Sequence, residues 1–167
     1  YGESVPAPQG YVLERSINGI TLGLDKPLKS PADMCYDGEF LYLLDSGNSR
    51  IVVLNKNLSV EKIYENIVIP ETISSLGFEQ DLEFEGAGGI AVDSKKRIYI
   101  ADTEHERIVV LKDGKVIHII NKPETSLLDD TVPFRVTKIT VGNDDKLFVI
   151  AESINTGVLI FSSETYE

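Results

Sequence analysis

The sequence is poor in the features that place a protein quickly. Its 167 residues hold a single cysteine, Cys35, so no intrachain disulfide and no cysteine-built zinc cage can form. Positive charge is scarce: 16 Lys+Arg stand against 27 Asp+Glu, for a net charge of -11. With no basic stripe to displace counterions from a phosphate backbone, the balance argues against nucleic acid as a partner. Long apolar runs are missing too. Stretches such as Phe40–Leu44 reach five residues, against the ~20 that a bilayer-spanning helix needs. Gly-rich phosphate loops, Gly-x-Ser-x-Gly elbows and His-Glu-x-x-His helices are all absent.

What is present suits one globular domain. Apolar residues make up 42% and charged residues 26%, too apolar for disorder and enough to bury a real core. Cys35 lies in Met34-Cys35-Tyr36 between Asp33 and Asp37. It reads as a small buried hydrophobe, because neighbouring carboxylates oppose the lowered pKa of a reactive thiol. The chain opens on Tyr1-Gly2-Glu3-Ser4 rather than Met, which predicts a processed chain, exported to the cell surface or beyond.

An internal repeat organises the sequence. Residues 31–54 align without gaps on 88–111 at an offset of 57, matching Tyr42 with Tyr99, Asp45 with Asp102, Arg50 with Arg107, and the closing Ile-Val-Val-Leu. A third, weaker copy runs through Ile139–Glu152 and Val158–Phe161, with Glu152 where Asp102 would stand and Gly157 where Arg107 would stand. Ile90–Val92, Ile98–Ala101, Ile108–Leu111 and Lys115–Ile120 are short runs of β-branched and aromatic residues, broken by turn residues. Asp113-Gly114 is a hairpin signal. Ile98 and Ile100 point one way and Tyr99 and Ala101 the other, so the inner strands are buried on both sides. Ser59–Tyr64 mixes charge into its pattern, as an outer edge strand should.

Four antiparallel strands per unit, stacked face to face, predict an all-β fold: a β-propeller with three blades at about 31–65, 88–121 and 136–161. Residues 66–86 and 122–135 are then rim insertions, and residues 1–30 an N-terminal hairpin or closing strand around Asn18-Gly19. Six residues after Phe161 are too few for a turn and a fourth strand. Three blades are half of a six-bladed ring, so the first and third should expose apolar faces, closed by dimerisation or by further sequence.

Gly89-Ile90-Ala91-Val92-Asp93, Ile98-Tyr99-Ile100-Ala101-Asp102-Thr103 and Arg107-Ile108-Val109-Val110-Leu111 together resemble an NHL repeat. The resemblance implies a propeller of the kind that serves as a binding platform, with a minority of relatives being lyases and lactonases that hold a metal in the central channel. Asp45, Arg50, Asp102 and Arg107 carry the repeat signature and are assigned a structural role: the carboxylate accepts backbone N–H groups in its turn, and the arginine pairs with it.

The connections between blades share a rim with the Asp45–Arg50 and Asp102–Arg107 turns. Glu79, Asp81, Glu83 and Glu85, interleaved with apolar residues, and His105 are the candidate binding residues on that rim. Alternating acidic and apolar positions predict a short helix and an extended arm. They form a lid over the blade edge or a docking surface for a basic or amphipathic protein. No catalytic residue, metal site or cofactor is assigned, since the innermost strands offer Asp33 and otherwise Met34, Cys35, Ile90, Val92, Ile139 and Val141. The expected function is a non-catalytic binding or scaffolding module taking a protein or small ligand. The alternative is a metal-dependent lactonase- or lyase-like enzyme with its site in the channel.

Overall fold

The computed structural model describes residues 10–74, 82–126, 128, 131–152, 154 and 157–162. Blade 1 is a meander of β1 (Pro31–Tyr36), β2 (Leu41–Asp45), β3 (Arg50–Leu54) and β4 (Val60–Tyr64). Blade 2 repeats it with β5 (Gly89–Val92), β6 (Ile98–Asp102), β7 (Arg107–Lys112) and β8 (Lys115–Ile120). Blade 3 has three described strands, β9 (Val136–Val141), β10 (Leu147–Ala151) and β11 (Leu159–Phe161). All pairings are antiparallel. The β7–β8 hairpin turns on Asp113 and Gly114, at φ 52° and 80°, the left-handed pair that Asp-Gly supplies readily.

The blades stack as the two-sided burial of their inner strands requires. Tyr42, Leu44, Ile51 and Val53 of blade 1 pack with Ile90, Ile98, Ile100, Val109 and Leu111 of blade 2. The other side of blade 2, with Tyr99, Ala101, Ile108 and Val110, packs against Ile139, Leu147, Val149 and Phe161 of blade 3. The first strands lie side by side along the inner edge, close enough that a Cβ on Gly88 would sit 2.9 Å from the Thr137 carbonyl oxygen. Only glycine permits that approach.

The ungapped offset holds through β2 and β3 but slips by one residue in β1. The first turn closes from Asp37 N–H to the Phe40 carbonyl, the second from Asp93 N–H to Arg97, so blade 1 has one turn residue fewer. A bulge between Pro31 and Asp33 restores the register. Asp37 therefore occupies the place of Asp93. Each carboxylate accepts two backbone N–H groups of its own turn, from Glu39 and Phe40 or from Lys95 and Arg97. Each also accepts a tyrosine hydroxyl, Tyr42 at 2.9 Å or Tyr99 at 3.1 Å.

Two expectations are corrected. Asn18-Gly19 starts a helical turn, not a hairpin. Asn18 Oδ1 accepts the Thr21 N–H at 2.9 Å and the Asn18 carbonyl accepts Leu22 N–H at 3.0 Å, a local capping arrangement that competes with strand pairing. And the first blade does not leave its whole outer face bare: Ile17, Leu22, Leu24 and Leu28 pack on Leu43, Val52 and Leu54.

Candidate binding rim

One rim gathers the β2–β3 and β6–β7 turns together with the connections into blades 2 and 3. Each turn is a single 3-10 turn, Ser46–Asn48 or Thr103–His105, ending on a left-handed residue, Ser49 or Glu106. Across its base the aspartate pairs with the arginine: Asp45 with Arg50 and Asp102 with Arg107, both at 2.7 Å, with the two carboxylates fully buried. Asp45 takes a backbone N–H not from its own turn but from Lys29, at 2.7 Å, and a second contact from Asn48 Nδ2 at 2.8 Å. Arg50 uses its remaining nitrogens on Asp25, at 3.1 Å, and on the Lys26 carbonyl, at 2.8 Å.

The same turns clamp the next blade. Ser46 Oγ donates to the Phe84 carbonyl at 3.1 Å and accepts Gly86 N–H at 3.0 Å. In the equivalent position Thr103 Oγ1 donates to the Val136 carbonyl. Ser49 Oγ accepts Phe84 N–H, and Glu106 Oε2 accepts Phe134 N–H, each at 3.3 Å. Phe84 and Phe134 are both 0% exposed. The end of each long connection is thus a conserved piece of blade joinery within this chain, while α1 (Glu71–Ser74) is the short helix expected earlier in the first one. Ile67, Ile69 and Leu82 of that connection are core residues as well.

Of the acidic candidates, Glu83 and Glu85 stand exposed on either side of buried Phe84. Glu85 Oε1 meets Lys29 Nζ at 3.0 Å, both well in solvent. Glu79 and Asp81 lie outside the described residues. His105 is half-exposed and turns its Nδ1 to Asp102 at 2.8 Å, towards its own turn and not towards Glu83 or Glu85. His118 lies on the outer strand β8, where burial lowers its pKa. A cleft of about 490 Å³ opens between the Ser46–Asn48 turn and the first connection, with Asn48, Ser49, Glu65, Asn66 and Glu83 around a floor of Ile67 and Leu82.

Sequence reasoning missed a charge cluster on this rim. Arg135 bridges Glu104, at 2.8 Å, and Glu152, at 2.9 Å. Its guanidinium holds the Glu104 carboxyl below the usual range. The signal was present: Glu152 lacks the downstream arginine of the other copies, and the connection before β9 supplies the cation instead.

Along the inner edge a second cleft, of about 310 Å³, is lined by Asp33, Cys35, Val92, Lys138 and Ile139. Cys35 is half-buried and not fully buried as expected; burial, then Asp33 and Asp37, push its thiol up to about 12, the opposite of the lowered pKa of a reactive cysteine. Asp33 Oδ2 accepts Ile90 N–H at 3.2 Å and lies 3.5 Å from Lys138 Nζ. Among the described residues no group of three or more His, Cys, Asp or Glu side chains could hold a metal ion, and no helix is long and apolar enough to cross a membrane.

Residues 84–111 match the NHL repeat. Blade 2 is an NHL repeat. The match starts at Phe84, the residue that locks blade 2 to blade 1, so the NHL unit includes the last part of the connection. The chain as a whole has a β-propeller fold. It is similar to the hydrazine synthase of Kuenenia stuttgartiensis at a TM-score of 0.56 and 13% identity, covering 95% of this chain and 38% of that one. A catalytically inactive virginiamycin B lyase from Staphylococcus aureus with quinupristin gives 0.51 and 16%, covering 85% and 44%. The glutaminyl cyclase of Myxococcus xanthus gives 0.51 and 11%, covering 78% and 55%. The chain thus spans from 38% to 55% of the length of these three structures. At such identities the likeness extends to the fold alone. No curated protein matches the sequence.

Proposed function

We propose that this NHL-type propeller segment is a non-catalytic binding module. It presents the rim of β2–β3 and β6–β7 turns, with the connections into blades 2 and 3, to a protein partner of basic or amphipathic character. The observation that carries this reading is the cleft beside the Ser46–Asn48 turn: buried Ile67 and Leu82, with exposed Glu65, Glu83 and Glu85 outnumbering Lys26, the one cation in its lining. Such a site suits an apolar side chain flanked by cations, with the acidic rim steering encounter. The NHL chemistry around it is engaged in structure: the Asp-Arg pairs hold their own turns and, through Arg50, the N-terminal strap of residues 17–28, while the Phe plugs join one blade to the next. It leaves the rim residues to vary with the ligand.

The test uses a labelled amphipathic peptide rich in Lys and Arg, titrated against the chain at low salt. Binding should weaken at least ~10-fold in Glu83→Lys/Glu85→Lys, because like charge replaces attraction. It should be unchanged in Asp113→Asn, on the opposite rim. Equal losses from both would defeat the reading. Addition of a chelator should leave both binding and melting temperature unchanged; a large fall in either would favour the lactonase- or lyase-like alternative.

A further inference from the structure

Two cations of the chain itself meet the acidic rim, and they are held in different ways. At the junction of blades 2 and 3, Arg135 grips Glu104 with two nitrogens, at 2.8 and 3.3 Å, and Glu152 with a third, at 2.9 Å. A planar guanidinium forked over carboxylates is a fixed, geometrically specific tie. At the junction of blades 1 and 2, Lys29 meets Glu85 through one contact of 3.0 Å, with the two side chains 60% and 69% exposed. A single ammonium contact in solvent adds little to stability and is readily exchanged.

The backbone of Lys29 is nonetheless anchored. Its N–H donates to Asp45 Oδ1 at 2.7 Å, and its carbonyl accepts Gly47 N–H at 3.0 Å. Asp45 is fully buried, so the root of the side chain is fixed while the ammonium swings on its flexible stem. Its partner stands at a boundary. Glu85 and Gly47 line the cleft of about 490 Å³ on one side and a further cleft of about 440 Å³, beside Pro31 and Ala87, on the other. Around the first cleft, Glu65 and Glu83 make no ion pair among the described residues, and Glu85 alone is held by a cation.

We propose that Lys29 is an internal competitor for the binding rim. Its ammonium occupies Glu85 in the unbound chain and is displaced when a Lys or Arg of a basic, amphipathic partner takes that carboxylate. The inference rests on the binding-module reading and adds the regulation of that site. One exposed ion pair replaces another at Glu85, so ionic contact there gives almost no net gain. The pair thus sets a threshold, and affinity has to come from the apolar contact with Ile67 and Leu82. Glu104 and Glu152, held by the Arg135 fork, are not open to the same exchange, which confines the entering cation to the junction of blades 1 and 2.

A double-mutant cycle tests this, with the labelled Lys- and Arg-rich amphipathic peptide titrated at low salt against the wild type, Lys29→Gln, Glu85→Gln and the double variant. Lys29→Gln should bind the peptide about 3-fold more tightly, the gain expected from removing one exposed competing pair. In the Glu85→Gln background the same change should alter affinity by less than about 1.5-fold, since no carboxylate is left to compete for. The melting temperature of Lys29→Gln should stay within about 2 °C of the wild type. Unchanged or weaker binding by Lys29→Gln, with wild-type binding intact, overturns the competitor and leaves the binding module standing. An equal gain in both backgrounds also overturns it, because Lys29 would then act through the general field of the rim. A larger fall in melting temperature makes Lys29 a structural residue and overturns it too. No binding of the peptide by any of the four proteins defeats the binding-module reading, and the competitor with it.

Discussion

At the residue scale, the Asp-Arg pairs of this chain do unequal work. Asp45–Arg50 and Asp102–Arg107 have the same 2.7 Å geometry and buried carboxylates, but Arg50 also holds the N-terminal strap through Asp25 and Lys26. Removing one member of a buried pair strands the other charge at a cost of about 3–5 kcal/mol. Arg50→Ala should therefore lower the melting temperature by roughly 10 °C, using ~2–4 °C per kcal/mol for a chain of this size. Arg107→Ala should cost less, because both carboxylates keep another side-chain partner, Asn48 or His105, and only Arg50 fastens the strap. Thermal denaturation of the two variants side by side checks the order; equal losses would show that Arg50 acts within its own turn alone. On the other rim Asp37 is the comparable device. Burial pushes its carboxyl up, but the Lys96 ammonium, the Phe40 and Glu39 N–H groups and the Tyr42 hydroxyl outweigh that and hold it below the usual range. Its stabilisation is complete above its unfolded pKa and is lost as pH falls through the native one.

At the scale of elements, the working unit is a blade together with the phenylalanine that precedes it. Phe84 and Phe134 are fully buried, and each is hydrogen-bonded through its N–H to the turn of the blade before. Truncating a fully buried Phe costs about 3–5 kcal/mol in lost transfer energy and cavity formation. Phe84→Ala and Phe134→Ala should both show losses in this range by urea denaturation. Hydrogen exchange should rise first in the connection and first strand that each residue anchors, β5 or β9. Exchange confined to the connection, with strand amides still protected, would make the connection a dispensable lid instead of joinery.

At the scale of the whole molecule, the stack is asymmetric. One end is sealed by the strap over Leu43, Val52 and Leu54, while the other leaves Ile150, Val158 and Ile160 exposed. Removing residues 1–28 should therefore uncover a second apolar face. Truncation is expected to convert the chain into one that associates as concentration rises, seen by light scattering, and to increase apolar dye binding. A truncated chain that stays monomeric with unchanged dye binding would show that the strap is an ornament on an already sufficient blade.

The period of the repeat, the two-sided burial of the inner strands, the Asp-Gly hairpin and the NHL-type signature were legible in the sequence alone, because each depends on local pattern: alternation, turn chemistry and spacing. The partnership of Asp45 with Arg50 was legible for the same reason. Other features depend on contacts between residues far apart in the chain, and no local pattern encodes them. Asp37 answers to Asp93 only because a bulge in β1 compensates a shortened turn. Asn18-Gly19 reads locally as a hairpin, yet the strap finds more apolar burial on blade 1 than a free hairpin could. Phe84 and Phe134 look like parts of rim insertions until stacking places each under the preceding turn. On the rim, sequence supplied Glu83 and Glu85 as exposed acids, while the cleft beside them and the Arg135 bridge exist only once two blades meet. Pattern settles what each blade is; packing between blades settles which of its residues are left to meet anything else.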